Sequence, residues 1–210
     1  MRTMEIFLVR HGQTAGNLAG RYIGRTDEPL CEEGVAYARQ TGVFPGIGCV
    51  YVSPMRRAGE TAAILFPNAR YIVCSDLREM DFGDFEGRSA DEMADDSAYR
   101  TWVDGGCLDA CPNGESAAEF SARICSAFDK IVQDAVSDGK NKECQKDGRL
   151  IIVAHGGTIM ALMFKYARPL RNYFDWHVKN IQGWHSYLDE NMWDKEPALT
   201  SYDKLEVLDL

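Results

Sequence analysis

Short apolar, β-branched or aromatic runs recur along the chain, at Ile6 to Val9, Cys49 to Val52, Arg70 to Cys74 and Leu150 to Ala154. The stretches between them carry helical spacing, and this alternation predicts an α/β fold with a largely parallel sheet. The clearest helix begins in Gly114-Glu115-Ser116. Ser116 and Glu119 have capping-box spacing, and Phe120, Ile124, Phe128, Ile131 and Ala135 follow at steps of three or four. Ser53-Pro54-Met55 reads as a second helix start, with serine at the N-cap and proline at the first helical position. Asp138 to Lys142 is a polar connection, and a late strand is expected from Asn180 onward.

The region from Asp84 to Asp109 breaks the alternation. It holds eight acidic residues against two basic ones, Arg88 and Arg100. Short helical pieces without a strand make it a small cap insertion, about residues 84–115; a solvated acidic surface is the plainer reading. At 210 residues the chain fits one domain, spanning 1–210. A net charge of −9 argues against broad nucleic-acid or anionic-membrane binding. No apolar run approaches the roughly 20 residues that span a bilayer, and the N-terminus shows no secretory pattern. The seven cysteines form no CxxC pair, which reads as reduced thiols in a cytoplasmic protein.

The candidate chemistry sits at strand ends, where open α/β sheets bind ligands. Ile6 to Val9 runs into Arg10-His11-Gly12, Cys49 to Val52 into Ser53-Pro54-Met55-Arg56-Arg57, and Leu150 to Ala154 into His155-Gly156-Gly157-Thr158. Taken singly, each piece is an ordinary turn, helix face or hydrogen-bonded histidine. Together, two arginines, two histidines and helix N-termini suit a phosphoryl dianion.

The segments LVRHGQTAGN, SPMRRAGET, LREMDFGDFEG and VAHGG resemble, in order, the four signatures of the histidine phosphatase superfamily, the phosphoglycerate-mutase-like fold. The resemblance implies a three-layer α/β/α sandwich with a mostly parallel central sheet and a small helical cap. It implies that His11 is the nucleophile, with Arg10, Arg57 and His155 around the phosphoryl oxygens and Glu79 as general acid. Asp81 is the local rival for the acid. Arg57 is preferred to Arg56 because Ala58 follows it, as in the family motif. His155 is expected to work best protonated, a state that the two arginines oppose and a bound dianion restores. Asn17, Gln13, Gly24 and Gly156 are expected to assist binding. Glu115 and Ser116, in PNGES, either touch substrate or form only a turn and helix cap. No metal and no cofactor are implied, because arginines carry the charge.

The implied function is metal-independent hydrolysis of a small phosphorylated metabolite through a phosphohistidine. A phosphoglycerate mutase is the alternative, but Ile23, Ala90, Val103, Asp104 and Phe82 stand where such mutases carry hydroxyls or cations. An acidic cap also disfavours a highly anionic substrate. The short chain and PNGES resemble broad-specificity phosphatases and the α-ribazole-phosphate phosphatases. A binding protein without turnover is a further alternative, disfavoured because His11, Glu79 and His155 are all present. Cys31 stands where the family has threonine or serine, which makes a weaker helix cap. Trp184 and His185 either line the pocket or simply pack.

Overall fold

The computed structural model describes residues 3–136 and 148–205. Six strands form one sheet: β1 (Thr3–Arg10), β2 (Cys49–Val52), β3 (Arg70–Val73), β4 (Arg149–Ala154), β5 (Gly183–Asp189) and β6 (Thr200–Leu205). Their order is β3-β2-β4-β1-β5-β6. β1 to β4 run parallel, and β5 and β6 add an antiparallel edge. All four apolar runs are strands. β1 and β4 lie at the centre, and Ile6 to Val9 and Leu150 to Ala154 are all buried. A parallel strand covered on both faces reads as a continuous apolar run rather than an alternating one.

The α-helices among the described residues are α1 (Ala15–Leu18), α2 (Glu32–Thr41), α3 (Arg56–Leu65), α4 (Ser97–Asp104), α5 (Ala117–Val136) and α6 (Gly156–Tyr166). Successive strand residues face opposite sides, and the core divides accordingly. Ile6, Leu8, Leu150 and Ile152 pack with Phe120, Ile124 and Phe128 of α5 and Leu162 of α6. Phe7, Val9, Ile151 and Val153 pack with Ala38 of α2 and Ala58, Ala62 and Leu65 of α3. The result is the expected three layers.

Local chemistry explains most helix starts. Ser116 accepts from Glu119 N (3.2 Å) while Glu119 Oε2 accepts from Ser116 N (3.0 Å), so the expected capping box stands. Cys31 Sγ does cap α2, accepting from Gly34 N at 3.3 Å. The expected cap of α3 is corrected: the helix begins at Arg56 with Met55 as N-cap. Ser53 still belongs to the sheet edge, its N–H donating to the Val153 carbonyl (3.0 Å), and its hydroxyl is used elsewhere. Residues 83–115 hold two single 3₁₀ turns and α4 without a named strand. Phe85, Met93, Tyr99 and Trp102 anchor this segment in the core.

Trp184 and His185 pack: the Trp184 indole N–H donates to the Trp176 carbonyl (3.1 Å), and His185 stacks on Phe7 at 4.3 Å. Cys31, Cys74, Cys107, Cys111 and Cys125 are free thiols. Cys49 is disulfide-bonded, which corrects the expectation of reduced thiols throughout. The polar connection from Asp138 to Lys142 lies outside the described residues. Among the described residues, no helix is long and apolar enough to cross a membrane.

Candidate active site

Sheet register builds the centre of the site. Arg10 lies opposite Ala154, and His11 N donates to the Ala154 carbonyl (3.0 Å). The next residue on each strand is a histidine, so the rings of His11 and His155 meet edge to face, centroids 5.1 Å apart. His11 Nδ1 lies 2.6 Å from the Gly12 carbonyl oxygen. A carbonyl can only accept, so Nδ1 carries the proton and Nε2 keeps its lone pair. Burial, followed by the charges of Arg57 and Arg10, pushes His11 well below the ordinary imidazole range.

His155 is held by a relay. Arg57 Nε donates to His155 Nδ1 (3.3 Å), and a guanidinium has no lone pair to accept with. The ring proton is therefore on Nε2, which donates to Ser53 Oγ at 2.6 Å. Burial first, then the charges of His11, Arg57 and Arg10, pushes His155 well below its usual range. The charges of Arg57 and Arg10 oppose a protonated His155, and a second proton on Nδ1 would confront the Arg57 N–H.

Arg57, in the first turn of α3, is 1% exposed. It donates to the carbonyls of Thr26 (2.7 Å), Gly24 (3.0 Å) and Ile23 (3.3 Å). The same loop is held from its other edge, where Glu86 Oε1 accepts from Gly24 N (2.8 Å) and Thr26 N (2.9 Å). A Cβ at Gly24 would collide with the Met80 carbonyl, so glycine is required there. Arg56 is exposed and pairs with Glu60 (2.7 Å). Arg10 donates to the Val178 carbonyl through one terminal nitrogen (2.7 Å), while its Nε is buried without a partner. A Cβ on Gly156 would sit 3.4 Å from that Nε.

Glu79 faces the N-terminus of α6. Its carboxylate accepts from Gly157 N (2.9 Å) and Met80 N (3.0 Å), and a side chain at Gly157 would strike it. Burial raises its pKa most strongly, against the two N–H donors and the charges of Arg57 and Arg10, and the net direction is upward. Arg123 of α5 fixes this segment by donating to the carbonyls of Asp76 (2.8 Å), Arg78 (3.0 Å) and Glu79 (3.3 Å). Asp81 is occupied elsewhere, accepting from Gly83 N (2.9 Å) and lying 3.6 Å from Arg25.

The remaining expected residues separate. Asn17 Oδ1 accepts from Asn180 Nδ2 (3.1 Å) and Thr14 N (3.4 Å). Both contacts use its oxygen, so its NH₂ group remains for a ligand. With Arg10 and Gln13, Asn17 lines a cavity of ≈ 540 Å³ whose walls also include Arg21, Tyr37, Lys179 and Asn180. Glu115 is instead forked by Arg123 (2.7 and 2.8 Å) and accepts from Asp81 N (2.9 Å). These partners hold it below the usual carboxylate range despite burial. Ser116 caps α5.

Two further residues enter the site. Ser53 reads as a helix cap in sequence, and only its tertiary position makes it the partner of His155. Asn180 Nδ2 also donates to the His11 carbonyl (3.0 Å). It lies past the recognisable motifs, so no pattern singles it out. Among the described residues, no group of three or more metal-ligating side chains converges.

The family model described as histidine phosphatase superfamily (branch 1) matches residues 6–194. The chain belongs to this superfamily. An adenosylcobalamin/alpha-ribazole phosphatase of Salmonella typhimurium is 31% identical over 201 residues, covering 89% of this chain and 90% of the relative. Solved structures in the superfamily's fold include a phosphoserine phosphatase from Entamoeba histolytica, in complex with 3-phosphoglyceric acid. Its TM-score is 0.72 at 22% identity, covering 97% and 98% of the two chains. A phosphoglycerate mutase from Bacillus anthracis has a TM-score of 0.70 at 22% identity, covering 99% and 93%. At these identities the solved structures establish the superfamily's fold alone.

Proposed function

We propose that the chain is a metal-independent phosphomonoester hydrolase acting through a phosphohistidine at His11, on a small phosphorylated metabolite. The observation that carries this reading is the His11 tautomer. The Gly12 carbonyl accepts a hydrogen bond from the Nδ1–H, which leaves Nε2 as a nucleophile beside two guanidinium groups. Burial keeps the ring neutral, and a neutral ring is the reactive form.

In the first step Nε2 attacks phosphorus, the N–P bond forms and the bond to the leaving oxygen breaks. Glu79, whose raised pKa favours the protonated carboxyl, gives its proton to that oxygen. In the second step water attacks the phosphohistidine, Glu79 takes a proton from it, and phosphate leaves with His11 restored. Arg10, with an unspent buried N–H, and Arg57 supply the positive charge that stabilises the transferring group. The similarity to the Salmonella phosphatase supports hydrolysis.

The test is p-nitrophenyl phosphate hydrolysis in EDTA, with acid-quenched protein analysed for phosphate on His11. Turnover with a phosphorylated His11 is expected, together with its loss in His11→Ala. Bound phosphate without turnover indicates a binding protein, and bisphosphate-primed phosphoglycerate isomerisation indicates a mutase.

A further inference from the structure

A hydroxyl that the reaction steps leave unused lies directly behind the nucleophile. Thr61 of α3 is fully buried, so it acts only through its neighbours. We infer that Thr61 is a positioning residue for His11: its hydroxyl fixes the peptide unit that aims the Gly12 carbonyl at Nδ1, and so keeps the reactive lone pair on Nε2. This rests on the hydrolase reading above and adds to it the group that sets the nucleophile's tautomer.

The hydrogen bonds behind the ring have one possible direction. The Gly12 N–H can only donate, and it meets Thr61 Oγ1 at 2.8 Å. The hydroxyl proton is therefore turned away from Gly12 and goes to the Arg57 carbonyl at 2.7 Å. A threonine bonded to the carbonyl four residues before it is an ordinary feature of helices. The bond from Gly12 is not, because it joins residues 49 positions apart. Arg57 and Thr61, one turn apart, share the buried face of α3. One hydroxyl thus ties the helix that carries Arg57 to the loop that carries His11.

The peptide unit between His11 and Gly12 is held at both ends. Asn180 Nδ2 donates to its carbonyl (3.0 Å), and Thr61 accepts from its N–H. Both pins matter because the next link is glycine, whose backbone has no side chain to limit its rotation. With the unit fixed, the Gly12 carbonyl returns to His11 Nδ1 at 2.6 Å. Without the hydroxyl, the Gly12 N–H becomes a buried donor lacking its acceptor, and the unit gains by turning to find another. The carbonyl then leaves Nδ1. An imidazole freed of that acceptor can carry its proton on Nε2 instead, the atom that has to attack.

The experiment compares the wild type with Thr61→Val, which keeps the shape and removes the hydroxyl, and with Thr61→Ser, which keeps the hydroxyl. Each is read by steady-state p-nitrophenyl phosphate hydrolysis and by NMR of the imidazole nitrogens. Thr61→Val should lower kcat about tenfold, the scale of one lost buried hydrogen bond, with KM little changed. Its His11 ring should carry part of the proton on Nε2, and Thr61→Ser should recover both the rate and the Nδ1 tautomer. A Thr61→Val enzyme as fast as wild type would overturn the inference. So would a loss that Thr61→Ser shares, or a slowed Thr61→Val whose ring is still protonated on Nδ1 alone. If Thr61→Val does not fold, the wild-type Gly12 amide decides: slow exchange with deuterium upholds its bond to Thr61, and free exchange overturns it. A wild type without turnover would overturn the hydrolase reading beneath, while the ring spectra would still decide the role of Thr61.

Discussion

Replacing Ser53 by alanine tests the relay that fixes His155. Ser53 is 2% exposed and His155 fully buried, and the imidazole Nε2–H donates to the hydroxyl at 2.6 Å. Ser53→Ala leaves that N–H buried without an acceptor, since a methyl group cannot take its place. Such an orphan costs about 1–3 kcal/mol. For a chain of this size each kcal/mol lowers Tm by roughly 2–4 °C, so a loss of about 2–12 °C is expected. The Arg57 N–H still donates to Nδ1, so the proton must remain on Nε2 in the variant. Thermal unfolding near neutral pH measures the first effect, and NMR of the imidazole nitrogens reads the tautomer. A Tm unchanged within 1 °C, roughly a few tenths of a kcal/mol, would refute the relay, because the hydroxyl would then not be the acceptor. A proton found on Nδ1 of the wild-type ring would refute it independently.

Three other outcomes follow from the site. His11 and His155 are both depressed below the ordinary imidazole value, so the unfolded chain binds more protons than the native one as pH falls below about 6.5. Their stability contribution is present above that value and lost below it, by up to about 1.4 kcal/mol per pH unit for each ring. Glu79, shifted upward, has the opposite sign: its contribution is present at low pH and lost as pH rises through its folded pKa. Urea midpoints should drop as pH is lowered from 7.5 to 5.5, and less steeply in a His11→Gln, His155→Gln double variant; equal slopes would contradict the burial argument. Asn180→Ala removes the amide that braces both His11 and Asn17, so kcat/KM should drop about 3- to 10-fold. Combining it with Asn17→Ala should cost less than the two single effects together, and strict additivity would mean that Asn180 does not act through Asn17. Glu79→Gln should slow alkyl phosphates by roughly 10²- to 10⁴-fold and p-nitrophenyl phosphate much less, because that leaving group needs little help from an acid. An equal loss on both would remove the acid role, and wild-type rates on alkyl esters would move it to Asp81.

What the chain discloses in one dimension depends on whether local pattern or tertiary position decides a residue's role. β1 and β4 are legible because central parallel strands are apolar throughout, and α5 because its buried face repeats at helical steps. β6 carries no such signal. Thr200–Leu205 is an edge with mostly exposed side chains, and polar residues are what protects an edge. The strand-end histidines and arginines stand out because charge after an apolar run is unusual. Ser53 misleads because a serine before proline also satisfies the helix-start pattern. Asn180 is an ordinary polar residue until the segment before β5 crosses the end of β1, where the Ile181 N–H reaches the Arg10 carbonyl (3.0 Å).

The loop at residues 23–26 gives a guanidinium its carbonyl oxygens on one edge and a carboxylate its amides on the other. Its peptide dipoles therefore bridge Arg57 to Glu86 as a polarised spacer between a cation and an anion that never touch. Neutralising either end depolarises the spacer and loosens its hold on the other. A substitution at Glu86 in the outer segment would thus be felt at Arg57 without any side chain having moved between them.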